Sequence, residues 1–399
     1  MILLLFILIS LLNLINYLIS LRQAIRDIPQ LDPSKNETDY LLNYEFPKVS
    51  VIVPAYNEAD NIKNCILSIL NSTDLSVDKL EVWVVDDRST DNTLTILNLL
   101  EQSLNDSRLK ILPGLDRPAE EIWTGKNWAC AQAALRAKGE FLLFIDADVM
   151  LKPKAIETVV QVARSSQIDL LNCVSALVCK SLAEWLVQPL MFINLLVSLN
   201  SKALKDPKKN AAFAIGSFML FRRSAYDRVG GHQAVANYVA EDVALARCIK
   251  QSGLKLQHML GGYLAELRMY RSWATLWEGW TKVLYSGSQR NLWLMILLAV
   301  LMLNIYSVPW LVLAIVFGKN ILIGWKIIDF FTICLALSAI FFQYNLRKIV
   351  AKALHSSTKY WWLNSLAGLL VAVIAIASVV KTETGWGWTW RGRSLKLHK

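Results

Sequence analysis

The hydrophobic pattern divides the chain into an apolar start, an alternating middle and an apolar end. Met1 to Leu21, MILLLFILISLLNLINYLISL, carries no charged side chain and is long enough to cross a bilayer core of about 30 Å. No small-residue cleavage site follows, so the pattern predicts a retained anchor at 1–21 and not a cleaved signal. Residues 22–47, with Pro29, Pro33 and SKNETD, have few apolar runs and read as a linker. From Lys48 short apolar runs appear: VSVIV (49–53), EVWVVDD (81–87), LKIL (109–112) and FLLFID (141–146). Between them, Asn61 to Asn71, Thr90 to Gln102 and Ala129 to Lys138 place apolar residues at helical spacing. Strand, helix, strand, helix predicts an α/β domain whose mainly parallel sheet is covered on both faces. Leu170 to Lys180 and AIGSFMLFR (214–222) read as further strands. Lys152 to Arg164 and EDVALARCIKQSG from Glu241 read as helices. From Leu292 the chain is again apolar, with spans expected at 292–317, 325–344 and 360–380.

Two stretches resist this division. Residues 182–199 are strongly apolar but contain Glu184 and a central Gln188–Pro189, so a segment lying at the bilayer interface is expected in preference to a span. The charge pattern also conflicts with the count of spans. Arg22 and Arg26 follow the first apolar run at once, which places residues 22–290 in the cytoplasm by positive-inside bias. Three alternating spans after 290 then leave the basic tail, 381–399, on the far side. Either one apolar stretch is re-entrant or the number of spans differs by one. Lys326 and Asp329 make 325–344 the least secure of the three.

Composition supports a membrane protein with a substantial soluble part. Hydrophobic residues make up 54% of the 399 and there are 15 Trp, too apolar for an ordinary soluble chain and rich in interfacial anchors. The net charge of +10 accompanies no Arg/Lys-rich helix or stacking motif, so nucleic acid is not expected as a partner. An anionic membrane surface and a phosphate-bearing substrate account better for that charge. The six cysteines form no CxxC pair and the four histidines are scattered, so reduced thiols are expected and a structural zinc site is not.

The strands at 49–53, 81–86 and 141–146 all end in acids or amides: Asn57–Glu58, Asp86–Asp87 and Asp146–Asp148. Ligands of open α/β sheets sit at the carboxyl ends of strands, so that edge is the expected site. Glu241 and Asp242 open a later helix and point about 100° apart on it, so one of them faces a site directly.

PAYNE (54–58), VVDDRSTDNT (84–93), GKNWA (125–129), DAD (146–148) and AEDVALA (240–246) occur in this order. Over residues 48–290 the chain resembles the family-2 glycosyltransferases, which have the GT-A fold. YRSWATLWEGW and the late WRGR add a resemblance to the bacterial enzymes associated with carotenoid and hopanoid glycosylation. That resemblance implies a nucleotide-sugar donor, a Mg2+ or Mn2+ ion and inversion at the sugar. It assigns Asp148 to the metal and Asp146 to the ribose or a metal-bound water. Pro54, Ala55, Tyr56 and Glu58 would contact base and ribose, with Asp86 or Asp87 accepting from the base. Lys126 would meet the phosphates, and Asp242, supported by Glu241, would act as general base.

The sequence departs from the processive relatives, which carry Q/R-x-x-R-W where this chain reads EGWTKVLYSG (278–287). Arg271, Trp280 and Lys282 are the candidates for acceptor and phosphate contacts there. In WRGR (390–393) the lipid-modifying relatives commonly follow with Tyr, where this chain has Leu395. The reading is therefore a membrane-bound transferase acting on a hydroxylated lipid such as a carotenoid or another polyisoprenoid. Its rivals are a processive polysaccharide synthase and an inactive membrane scaffold.

Overall fold

The computed structural model describes residues 2–35, 45–118, 122–199, 204, 206 and 211–394. The linker stretch 36–44 and the tail beyond 394, with Leu395, lie outside the described residues. Two compact units share the chain in alternation. One comprises Ile28–Val178 and Lys202–Met269; the other comprises Met1–Asp27, Cys179–Ser201 and Tyr270–Lys399.

The first unit is built on eight strands: β1 (Val49–Ala55), β2 (Leu80–Asp86), β3 (Leu109–Pro113), β4 (Phe141–Ile145), β5 (Val149–Leu151), β6 (Leu170–Leu177), β7 (Phe218–Arg222) and β8 (Leu256–Leu267). Their order across the sheet is β3-β2-β1-β4-β7-β6-β8-β5. The first four run parallel, as the sequence predicts. Beyond β4 the sheet is mixed, because β7 lies antiparallel to both β4 and β6. Every residue of β4 and β6 is buried, which is why neither strand alternates: β4 is a continuous apolar run and β6 is apolar except at Asn172 and Ser175. Strands β5 and β8 were not expected from the pattern. In β8 the pair Gly261–Gly262 interrupts the β-rich spacing, and the pairing with β6 slips between Ser175 and Ala176.

Helices α2 (Ile62–Asn71), α3 (Thr93–Leu104), α4 (Gly125–Arg136) and α5 (Ala155–Ser165) connect the early strands. The sequence puts the start of α4 at Ala129, but the helix begins four residues earlier. Thr124 is its cap, accepting from Asn127 N at 3.4 Å, so GKNWA forms the first turn and not a preceding loop. A second difference concerns AIGSFMLFR. The strand starts at Phe218, and residues 214–217 form a loop whose backbone groups are committed elsewhere.

The second unit contains α1 (Ile2–Asp27) and α6 (Leu182–Leu199). After α7 (Arg223–Arg228) and α8 (Glu241–Gln251) of the first unit, it continues with α9 (Trp273–Gly287). Then follow α10 (Leu292–Met302), α11 (Val308–Ile323), α12 (Ile327–Ala353) and α13 (Asn364–Thr384). A π-helical turn, Leu303–Ser307, joins α10 to α11. Among the described residues five helices are long and apolar enough to cross a membrane: Ile2–Asp27, Leu182–Leu199, Leu292–Leu322, Ile327–Ala353 and Trp361–Thr384.

Two of these runs are constrained by what surrounds them. The strands before and after α6, β6 and β7, are hydrogen-bonded neighbours in one sheet. A single crossing by α6 would leave them on opposite faces of a bilayer, so α6 is not a single crossing. At the other end of the chain the helices do not alternate. Trp310 donates to Gln343 at 3.0 Å and Lys319 pairs with Asp329 at 2.9 Å, so α12 runs against α11. Ser307 donates to Ser365 O at 2.8 Å, and Ser378 donates to Thr281 O at 2.8 Å, so α13 also runs against α9–α11. The segment between α12 and α13 doubles back, with Lys359 O accepting from Arg347 at 3.3 Å and the Trp361 and Tyr344 rings 5.0 Å apart. Helices α12 and α13 therefore point the same way.

The tail consequently returns to the start of α9. Thr389 and Trp390 (β9) pair with Arg393 and Ser394 (β10). Glu278 accepts from Thr389 Oγ1 at 2.6 Å and from Arg391 N at 3.1 Å, and Lys282 covers the Trp390 ring at 3.8 Å. Residue 278 is nine residues past Met269, the last residue of the first unit.

Candidate active site

The parallel strands place three polar strand ends on one edge of the sheet. After β1, the loop 56–59 is laced to the loop after β2. Asn57 N donates to Ser89 Oγ at 2.9 Å, Thr90 N to Asn57 Oδ1 at 2.8 Å, and Glu58 N to Thr93 Oγ1 at 2.8 Å. Glu58 accepts from Asn61 at 2.8 Å, and Asp91 accepts from Thr93 N, the first residue of α3, and from Ala59 N. Much of VVDDRSTDNT thus holds the loop carrying Tyr56 in place, a function spread over Ser89, Asp91 and Thr93 that motif reading alone does not assign. Asn57 has φ 55°, a left-handed conformation that Asn tolerates better than most residues.

Asp86 and Asp87 are both buried. Asp86 Oδ2 accepts from Ser89 N at 3.1 Å, while its Oδ1 is buried without a hydrogen bond. Asp87 is paired with Arg117 at 3.1 Å, and Arg117 also donates to Trp123 O. Arg117 was not singled out in the sequence; its place in a Pro- and Gly-rich loop offered no periodic signal.

At the end of β4 the chain turns tightly, with Val149 N donating to Asp146 O at 3.1 Å. Asp146 and Asp148 occupy that turn. Lys126, in the first turn of α4, lies 2.7 Å from Asp146 Oδ1 and 2.8 Å from Glu241 Oε1. Burial works against its ammonium, but Asp146 and Glu241 more than offset this and hold the Lys126 pKa well above its ordinary value. The ammonium therefore ties the strand-end acids to the acids that open α8.

Glu241 and Asp242 divide as the helix geometry requires. Glu241 is buried on Lys126. Asp242 turns elsewhere: Oδ2 accepts from Gly216 N at 2.8 Å and Oδ1 from Val243 N at 2.8 Å. Burial first, then the adjacent Glu241, push the Asp242 pKa up to about 7, against the lowering effect of Lys126 and these two N–H groups. A Cβ on Gly216 would lie 3.1 Å from both Asp242 Oδ2 and Lys126 Nζ, so a side chain there would have to push these two groups slightly aside.

The donor set suits a hard divalent ion. Two carboxylates on one turn offer oxygen ligands, and Mg2+ usually takes one or two of these and completes its shell from substrate phosphates and water. Among the described residues no group of three or more His, Cys, Asp or Glu side chains converges to hold an ion alone. Asp146 and Asp148 would leave the rest of an ion's shell to phosphate oxygens and water.

The remaining candidates belong to the second unit. Trp280 is buried there, its Nε1 donating to Gln188 at 3.0 Å, and Lys282 lies over Trp390. Arg271 is exposed just before α9. The structure brings Lys126, Asp146, Glu241, Asp242 and Gly216 together in the first unit.

Residues 50–230 match the family described as Glycosyl transferase family 2. That stretch, 181 of the 399 residues, is the part of the chain that is similar to this family. The 4,4'-diaponeurosporenoate glycosyltransferase of Staphylococcus haemolyticus (strain JCSC1435) is 27% identical over 259 residues, covering 62% of this chain and 66% of that protein. The protein of the same name from Staphylococcus aureus (strain USA300) is 27% identical over 250 residues, covering 62% and 63%. These matches span just under two thirds of the relatives' own length. Mannosyltransferase PcManGT from Pyrobaculum calidifontis, solved with GDP-Man and Mn2+, has a TM-score of 0.53 at 19% identity, covering 96% of this chain and 99% of that one. This last likeness is one of fold, and it agrees with the GT-A architecture expected from the motifs.

Proposed function

We propose that the chain is a membrane-anchored glycosyltransferase that moves one sugar from a nucleotide-sugar donor to a hydroxylated lipid, inverting the anomeric carbon. The observation that carries this reading is the Lys126 bridge between Asp146 and Glu241. It assembles a donor end and a separate acceptor end, with Asp242 next to but outside the ion pair. A divalent ion on Asp148 and Asp146 would neutralise the diphosphate leaving group. Lys126 supplies a point charge to the same phosphates. Asp242 takes the proton of the attacking hydroxyl. A single displacement requires one base and no second carboxylate nucleophile, so an α-linked donor would give a β-glycoside. Asp86 and Asp87 accept from the base, and Pro54, Ala55, Tyr56 and Glu58 line the nucleoside.

The lipid acceptor is supported by the long apolar helices of the same chain and by the relatives named for diaponeurosporenoate; a carotenoid or another polyisoprenoid is the preferred class. In the proposed organisation residues 1–21 anchor the chain, 22–47 link, 48–290 catalyse, 291–380 form the membrane region and 381–399 the basic tail. Arg22 and Arg26 support a cytoplasmic catalytic unit by positive-inside bias. The parallel course of α12 and α13 supports a non-alternating set of spans, under which the basic tail would also be cytoplasmic and the charge conflict in the sequence would not arise. A reporter fused after Lys399 is expected to be shielded from a protease added outside intact cells; cleavage there rejects the topology.

The function is tested by incubating membranes with labelled nucleotide sugars and a lipid extract, with and without Mn2+. Label is expected in an extractable glycolipid, dependent on the ion. Label in a long polymer, or in no product with any donor, overturns the reading.

A further inference from the structure

We propose that Asn172 is a positioning residue for the general base, holding the 215–217 loop so that Gly216 N–H stays on Asp242. The inference rests on the reading of Asp242 as the base and deepens it. Asn172 sits in the middle of β6, fully buried, in a strand that is otherwise apolar but for Ser175. Its amide uses all four of its hydrogen-bonding positions. Nδ2 donates to Ile215 O at 2.7 Å and to Phe218 O at 3.3 Å. Oδ1 accepts from Ile215 N at 3.0 Å and lies 3.2 Å from His258 Nδ1. Burial lowers the His258 pKa to about 4, so the ring is neutral, and because Oδ1 can only accept, Nδ1 carries the proton.

The amide therefore grips Ile215 by both its N–H and its carbonyl, as a neighbouring strand would. This explains why AIGS does not extend β7. Ile215 is fixed by Asn172, Gly216 N donates to Asp242 Oδ2 at 2.8 Å, and Ser217 O accepts from Asp146 N at 3.1 Å. Three successive residues thus connect β6 to the base and to the backbone of the metal-site turn. The groups bearing on Asp242 are Glu241 on its own helix, Lys126 on α4, and the N–H groups of Val243 and Gly216. Asn172 acts through the last of these.

A hydrogen bond to a carboxylate favours its charged form, so losing Gly216 N–H weakens Asp242 as an ionised base. In Asn172→Leu the acidic limb of the kcat/KM profile is expected to move up by about one pH unit. The 13C carboxyl resonance of Asp242, assigned by its loss in Asp242→Asn, gives the same comparison without turnover. An unchanged limb and resonance, with loss of stability alone, overturns the proposal and leaves Asn172 as a structural amide. Should Asn172→Leu fail to fold, Asn172→Ala removes both bonds to Ile215 without placing a larger apolar side chain in β6. A shift in the same direction supports the proposal, and no shift overturns it. A wild-type protein that transfers no sugar but whose Asp242 resonance shifts in these variants separates failure of the functional reading from failure of this one.

Discussion

Asp242→Asn is expected to lower sugar transfer by about 100- to 10,000-fold, the range that positioned proton transfer contributes, while nucleotide binding persists. The amide keeps an oxygen for Gly216 N–H or Val243 N–H but cannot take a proton. In the parent protein the base works only when ionised, and burial with Glu241 raises its pKa to about 7. The kcat/KM of the wild type should therefore fall as pH drops through about 7. The sign for stability is opposite. A carboxyl whose folded-state pKa is above its unfolded value of about 3.8 binds more protons folded than unfolded between those values. Its stabilising contribution is present at low pH and lost as pH rises toward 7. Asp242→Asn removes that loss, so Tm should fall less between pH 5 and pH 8 in the variant than in the wild type. A variant with wild-type transfer rejects Asp242 as the base. A variant with unchanged pH dependence of Tm rejects the raised pKa.

That Asp242 can be proposed as a base before its surroundings are seen rests on the resemblance of AEDVALA to a family motif; the signals read from the residues themselves are local. Asp146, Asp148, Asp86 and Asp87 stand out because each ends a buried apolar run, and the parallel order of the strands puts those ends on one edge. Lys126 stands out in GKNWA, but its two partners lie 20 and 115 residues away, and no local pattern carries that separation. Asn172 is the converse case. A lone amide inside LLNCVSAL signals that some buried group needs it, yet its partner Ile215 lies 43 residues on. AIGSFMLFR reads as one strand because the loop 214–217 is as apolar as the strand it precedes; what separates them is where the N–H and C=O groups go. The same limit applies to the membrane helices. An apolar run has length but no direction, so the parallel course of α12 and α13 emerged only from the contacts of Arg347, Trp361 and Ser378.

Asp148→Ala is expected to reduce transfer by at least about 100-fold, since the Lewis-acid role of a bound ion is worth several kcal/mol and two carboxylates are all that this turn provides. The two acids are not equivalent. Lys126 already holds Asp146 Oδ1 at 2.7 Å, so an ion at that oxygen would compete with an ammonium, and Asp148 would be the less costly ligand. Lys126 released in this way would keep its bond to Glu241 or turn to the incoming phosphates, where its charge opposes that of the diphosphate. Titration with a nucleoside diphosphate should then show affinity that rises with Mn2+ in the wild type and loses that dependence in Asp148→Ala. In Asp146→Asn, by contrast, part of the Mn2+ dependence should survive, because Lys126 is freed at the same time as one ligand is weakened. Equal loss in both variants would reject the division of labour, and full ion dependence in Asp148→Ala would reject Asp148 as a ligand.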